Sequence, residues 1–301
     1  MKLAKLIKRI TVDRPRHFRL ADCDPGDTHG IGDDKEKAEA RLADDIARLA
    51  DLQERLYAEH RWAVLIVLQG MDASGKDGVI KHVMSGINPQ GCDVHSFKAP
   101  GPEELAHDFF WRYVRRLPER GRIGIFNRSY YEEVLVTRVH PGVLARERLP
   151  QRLPPREIFA RRFEDICAFE RSLCDNGVLV LKFFLHISKQ EQRERLLARL
   201  EDPTKRWKFS MNDVAERERW DAYMRVYEEM IRATSHATAR WHVVPADHKP
   251  LARLVVASII VEALDALDPK IPAITGKALG NLKQVERVLR SEQPPRKRKG
   301  D

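Results

Sequence analysis

Four cysteines in 301 residues are few, and Cys23, Cys92, Cys167 and Cys174 lack the paired spacing of a zinc site. Cys167 and Cys174 are seven apart in a helical pattern, so they share a face and read as core residues. No apolar run approaches the ~20 residues of a membrane span. The opening stretch, MKLAKLIKRITVDRPRHFRL, has basic residues and brief apolar clusters but neither an apolar signal core nor a small-residue cleavage site. These absences exclude a disulfide scaffold and a membrane helix, and the expected setting is a reducing cytoplasm. The chain also lacks internal repeats. What it has is a 43% hydrophobic, 33% charged composition and a formal net charge of +9. That is enough apolar residue for a core, and the charge excess fits either solubility or a polyanionic partner: nucleic acid, nucleotides, an inorganic phosphate polymer or anionic lipid.

Residues 1–33 read as irregular, with DCDPGDTHGIGDD dense in turn formers. From Lys35 to His60, Leu42, Ile46, Leu49, Leu52 and Leu56 recur at helical steps. WAVLIVLQ (62–69) is a strand buried on both faces. Further strands are predicted at 93–97, 122–126, 178–187 and 241–246. Single helices are predicted at 102–117, 156–177, 212–234 and 250–267, with another running to about Leu200. Strands alternate with helices, so the fold class is α/β, with a mainly parallel five-stranded sheet and helices on both faces. We expect an N-terminal extension and helix over 1–60 packed on the core, a core over 61–268, and a partly disordered tail over 269–301, with EQPPRKRKGD as its disordered end.

The first strand runs into GMDASGKDG, in which Gly70, Gly75 and Lys76 keep the G-x-x-x-x-G-K spacing of a phosphate loop. Such a turn points backbone N–H groups at an anion, and Gly78 continues the helix start. The position after the lysine departs from the motif, with Asp77 in place of the usual Ser or Thr. A carboxylate there either binds magnesium or caps the helix. Asp72, inside the turn, either reaches the metal or accepts a proton. The strand RIGIF ends in Asn127, not the usual metal-anchoring Asp, so the anionic metal ligands are expected to have moved to Asp72 and Asp77. Arg128 follows at a strand end, where ligands bind in open α/β sheets. RLEDPTKRWKFS (199–210) gathers Arg199, Lys205, Arg206 and Lys208 around Pro203, which fits either a lid closing over phosphates or a solvated loop.

In LQGMDASGKDGVIKHVMSGINPQG, SFKAPGPEELAHDFFWR, FNRSYYEEVLV and RLEDPTKRWKFS the chain resembles the polyphosphate kinase type 2 family, over roughly residues 20–265. The resemblance implies a P-loop kinase fold of the thymidylate-kinase-like kind, with a helical lid at about 199–212. It implies phosphoryl transfer between inorganic polyphosphate and adenine nucleotides, with Mg2+ as cofactor. Asp72, Lys76 and Arg128 are then the expected catalytic residues. Gly70, Gly75, Lys76, Asp77, Gly78, Lys81, Lys205, Arg206 and Lys208 are the expected phosphate contacts, and Lys98, Asn127, Arg128 and Glu132 the nucleotide contacts. Many members have Asp where this chain has Asn127. Members acting mainly on nucleoside diphosphates resemble DRSWYNRA, with Asn at the place of Glu132. YYEEV resembles the subgroup that phosphorylates both mono- and diphosphates, although a glutamate is also common in a helix's first turn. The expected assembly is a homo-oligomer, dimer or tetramer, without membrane or nucleic-acid partners. An ATP-dependent nucleotide kinase and a nucleic-acid-binding P-loop protein are the alternatives, and no nucleic-acid motif stands out.

Overall fold

Strand β1 (Ala63–Gln69) is buried at every residue, as a β-branched run covered on both faces requires. It is the centre of a five-stranded sheet with β2 (Cys92–Ser96), β3 (Ile123–Asn127), β4 (Val178–His186) and β5 (Trp241–Pro245), in the order β2-β3-β1-β4-β5. All four pairings are parallel. The register sets Leu68 of β1 between Asn127 of β3 and Phe183 of β4. The loops leaving β1 and β3 therefore emerge side by side at the carboxyl edge. The computed structural model describes residues 2–31, 35–150, 153–208 and 210–292.

The helices are α1 (Lys2–Ile10), α2 (Lys35–Glu59), α3 (Lys76–Val83), α4 (Pro102–Leu105), α5 (Trp111–Val114), α6 (Glu132–Val139) and α7 (Pro141–Arg146). After them come α8 (Pro155–Asp175), α9 (Lys189–Glu201), α10 (Met211–Glu218), α11 (Trp220–Thr234), α12 (Lys249–Leu267) and α13 (Gly276–Ser291). The long α2 packs along α12, whose apolar residues are buried almost throughout, and α12 also packs on α3 behind the first strand's loop.

Three sequence expectations change. Residues 1–33 are not irregular throughout: α1 buries Leu3, Leu6, Ile7 and Ile10. A nine-residue helix is marginal alone. Packing stabilises this one, and the chain after it is pinned to β5 by Val12 N–H on Trp241 O at 2.9 Å. The helix over 102–117 divides because Asp108 captures the Phe110 N–H at 2.9 Å, turning the chain so that Phe110 meets Phe169, ring centroids 4.7 Å apart. The helix over 212–234 divides at Arg219. Helices α6 and α7 fill a segment for which no element was predicted. Helix α13 is regular and solvent-exposed, while residues 293–301, most of the stretch expected to be disordered, lie outside the described residues.

Beneath the carboxyl edge lies a fully buried ion pair. Lys182 Nζ on β4 donates to Glu170 Oε2 on α8 at 2.6 Å, and both side chains have no exposed surface. Tyr130 and Tyr131, just beyond β3, donate to Glu170 Oε1 at 2.8 and 2.7 Å, and His236 lies 2.9 Å from Oε2. Lys182 also donates to Thr234 O at 2.7 Å. Burial raises the Glu170 carboxyl's pKa, but Lys182 and the hydrogen bonds outweigh it and hold the pKa below the ordinary range. Removing one member leaves an uncompensated buried charge. Glu170→Gln is therefore expected to destabilise the fold by about 3–5 kcal/mol, read as a lowered Tm. Replacing Glu170 and Lys182 together by apolar residues is expected to recover much of that loss. A Tm unchanged in Glu170→Gln would refute this reading.

Candidate phosphate-binding site

The loop between β1 and α3 keeps its shape through backbone choices that only some residues allow. Gly70 has φ 151°, and a Cβ there would lie 2.7 Å from Ser74 Oγ and 2.8 Å from Leu185 O. Gly75, at φ 107°, sits immediately before α3. Lys76 is nine-tenths buried, and its Nζ donates to Gly70 O at 2.6 Å and Met71 O at 3.1 Å. The ammonium is thus held inside its own loop. Burial, then the neighbouring Arg128, lowers its pKa to about 8 against the pull of Asp72, Glu132 and Asp77.

Arg128 leaves the end of β3 at φ 64°, a left-handed conformation uncommon for arginine. It donates to Asp72 Oδ1 at 2.6 Å and to Glu132 Oε2 at 3.2 Å. Glu132 first, and Asp72 after it, raise its pKa further despite partial burial. Beside it, Asn127 Nδ2 donates to Asp77 Oδ1 at 2.9 Å. A neutral amide at 127 can make that contact, whereas an aspartate would face Asp77 with like charge. The side chains of Asp72, Lys76, Asp77, Asn127, Arg128 and Glu132 thus come from separate stretches of sequence into one cluster.

The cluster forms the floor of a cleft of about 1060 Å³. Gly70, Gly75, Gly78, Lys98 and Lys205 also line it. Lys98 is exposed at the rim. In the lid segment, α9 ends at Glu201, a 3-10 turn spans Arg206–Lys208, and α10 follows. Arg199 and Asp213 face each other across it at 3.7 Å. Lys205 is exposed and paired with Asp202 at 2.5 Å. Lys81 and Arg206 do not line the cleft: Lys81 is on the exposed side of α3, and Arg206 donates to Leu200 O at 2.7 Å. The Lys208 side chain lies outside the described residues.

Several lining residues escaped sequence reasoning. Lys249 and Arg253, from the first turns of α12, add cations beside the loop, and the Arg253 guanidinium lies 3.7 Å from where a Gly78 Cβ would be. Burial, then Arg195, lowers the pKa of each, against the pull of Glu191 on Lys249 and of Glu39 on Arg253. Glu216 accepts from Tyr223 at 2.5 Å and pairs with His140 at 2.8 Å on the opposite wall. Glu133, on the same side, accepts from Tyr113 at 2.7 Å, and burial pushes its pKa up to about 6. Polar residues on otherwise apolar helix faces were the available signal. They become meaningful only once the fold brings the faces together.

Among the described residues no group of three or more His, Cys, Asp or Glu forms a closed metal cage. Magnesium does not require one: it binds through one or two carboxylates, waters and substrate phosphates. Asp72 and Asp77, both lining the cleft and flanking Lys76 in sequence, fit that demand.

One phosphate loop on the central strand of a parallel sheet, an arginine hub on the next strand end and a helical lid define a P-loop kinase. The model of the family Polyphosphate kinase 2 (PPK2) matches residues 32–272, and the chain belongs to that family. It is 50% identical over 256 residues to an ADP-polyphosphate phosphotransferase of Rhodopseudomonas palustris, covering 85% of this chain and 89% of that one. It is 45% identical to an AMP/ADP-polyphosphate phosphotransferase of Meiothermus ruber, covering 88% and 96%. The crystal structure of Polyphosphate Kinase 2 from Arthrobacter aurescens TC1 superposes with a TM-score of 0.84 at 40% identity, over 95% of this chain and 97% of that one. No described helix is long and apolar enough to cross a membrane.

The Lys76 geometry has a titration consequence. With its pKa lowered to about 8, part of the protein carries a neutral lysine at and above that pH. An incoming phosphate favours the charged form, so binding of tripolyphosphate at pH 8–9 is expected to take up a proton. Calorimetry in buffers of different ionisation enthalpy reads this directly. Lys76→Ala is expected to abolish the uptake and to lower turnover at least about a hundredfold. Unchanged uptake in a folded Lys76→Ala would refute the assignment.

Proposed function

We propose that the chain transfers the terminal phosphoryl group of inorganic polyphosphate to AMP and ADP, giving ADP and ATP. The observation that carries this reading is the buried Lys76 beside the half-buried Arg128 on the floor of a cation-rich cleft, in a chain of the polyphosphate kinase 2 family. An oxygen of the acceptor's terminal phosphate attacks the end phosphorus of the polymer. The bridging P–O bond breaks, and the shortened polyphosphate leaves with that oxygen. Backbone N–H groups of the loop and Lys76 hold the donor. Arg128 exchanges a carboxylate partner for the transferring group, and positioning with charge neutralisation supplies the rate. Asp72 and Asp77 would hold magnesium, which when bound neutralises phosphate charge.

Use of both acceptors is supported by Glu132, which stands where diphosphate-specific members have Asn, and by the relative named for both AMP and ADP. Glu132 sits in the first turn of α6 against Arg128, within reach of the same cluster. Lys249 and Arg253 join Lys205 as further contacts for the linear donor. A homo-oligomer, dimer or tetramer, belongs to the same reading. It is supported by the exposed Leu282, Val285, Val288 and Leu289 of α13.

The deciding experiment incubates purified protein and magnesium with either polyphosphate or ATP as donor, and AMP or ADP as acceptor. Polyphosphate is expected to yield ADP from AMP and ATP from ADP. Efficient transfer from ATP to AMP with no transfer from polyphosphate would instead make the chain a nucleotide kinase.

The lid generates a second expectation. A linear polyanion engages several cations at once, whereas AMP offers a single phosphate. Neutralising Lys205 and Lys208 together should raise the KM for long polyphosphate more than that for AMP. Salt near 0.15 M screens beyond about 8 Å, so it should weaken polymer use by the wild type more than by the double variant. Equal losses for both substrates would reduce the lid to a cover.

A further inference from the structure

The phosphate loop is held from behind by one face of α9. Gln192 and Arg195 lie three residues apart, hence on one side of the helix, and both are buried. Gln192 Nε2 donates to Asp72 O at 2.9 Å. Arg195 Nη1 donates to Ala73 O at 3.0 Å and Ser74 O at 3.1 Å. Three consecutive carbonyls of the loop are therefore pinned by two side chains. The other guanidinium nitrogens are also engaged: Nη2 donates to Ala246 O at 2.6 Å and Asp247 O at 2.9 Å, and Nε to Glu191 at 2.7 Å. Every N–H of the guanidinium is thereby used on protein, so Arg195 has none left for a phosphate.

A peptide unit is planar, with its N–H directed opposite to its C=O. Pinning the carbonyls of Asp72 and Ser74 on the α9 side turns the N–H groups of Ala73 and Gly75 the other way. Both residues line the cleft. The N–H between them, on Ser74, is already taken by Met71 O at 3.1 Å. Ala73 itself holds a left-handed φ of 62°. On its other edge Gln192 accepts from Arg217 of α10 at 2.9 Å, so the same residue joins the loop to a lid helix.

We propose that Arg195 and Gln192 are positioning residues that set the anion-binding peptides of the loop. They act through the carbonyls of Asp72, Ala73 and Ser74 and touch no substrate. The proposal rests on the reading that this loop binds the donor phosphates. It assigns a function to a helix face that is buried yet polar, and it separates Arg195 from Arg199, one turn on, which faces the cleft.

The test compares Arg195→Lys, which keeps the charge but loses the planar fork, Arg195→Ala, and Gln192→Met, which keeps the volume. In Arg195→Lys the KM for polyphosphate is expected to rise at least about tenfold and kcat to fall, while the KM for AMP stays within about twofold. Gln192→Met should show the same split at smaller size. Millimolar guanidinium should restore part of the donor affinity of Arg195→Ala and leave Gln192→Met unchanged. If Arg195 variants do not fold, Gln192→Met decides by the same split. Parallel changes in both KM values, or none, in a folded variant would overturn the proposal.

Calorimetric titration with tripolyphosphate keeps this separate from the reaction. Binding to the wild type without transfer to AMP or ADP, weakened in the variants, would sink the proposed reaction and keep the positioning role. Wild-type turnover with undiminished tripolyphosphate binding in the variants would do the reverse. No binding to the wild type would sink both.

Discussion

Two cations, Lys76 and Arg128, are brought together at a half-sealed site, and their repulsion is the constraint around which the cleft is organised. Burial and Arg128 both drive the Lys76 ammonium toward neutrality. Asp72, Glu132 and Asp77 oppose that drift, and Asp72 and Glu132 hold Arg128 directly. The cluster is therefore a balanced set of ions, two cations against three carboxylates. In the proposed reaction a phosphate chain would replace the carboxylates as the partner of the cations, and the carboxylates would then be available to a metal. The odd letter in the loop belongs to this balance. A serine at 77 would contribute no charge, and Asn127 accommodates the carboxylate that stands there by donating a hydrogen bond to it.

Much of the fold was legible because a central parallel strand announces itself. Ala63–Gln69 is apolar without alternation, and the Gly-rich turn behind it has few structural uses. The strands flanking it were equally plain; Lys76 followed from the G-x-x-x-x-G-K spacing and Arg128 from its place at a strand end. What stayed hidden was of two kinds. Short helices such as α1 owe their existence to tertiary packing, which a local window does not contain. The breaks near Asp108 and Arg219 arise from single side-chain and backbone choices inside continuous helical patterns. In the site, Lys249, Arg253 and Glu216 sit at unremarkable positions in sequence and acquire meaning only from the faces they share. Lys81 shows the converse: it is near the loop in sequence and on the exposed side of α3 in space.

Polar residues buried in helices mark the two places where the carboxyl edge is fastened. Below it, Glu170 and Lys182 tie the tyrosines after β3 to α8 and β4. Behind it, Gln192 and Arg195 tie the phosphate loop to α9 and to the end of β5. Each set satisfies its hydrogen bonds within the protein, which is the condition for burying such groups without a large penalty. The loop is thus held between fastened neighbours.

The sheet order has a consequence for the making of the molecule. Val64 in the first strand pairs with Ile123 and with Leu179, so the central strand has no neighbour until long stretches of later chain exist. Such distant pairings close slowly, because chain entropy is lost before contacts return it. The carbonyls of Ala246 and Asp247, which complete the Arg195 clamp, come later still. A ribosome would thus have to release nearly the whole chain before the phosphate loop reached its binding shape. A truncated product would carry the motif intact in sequence and lack the geometry that gives the motif its chemistry.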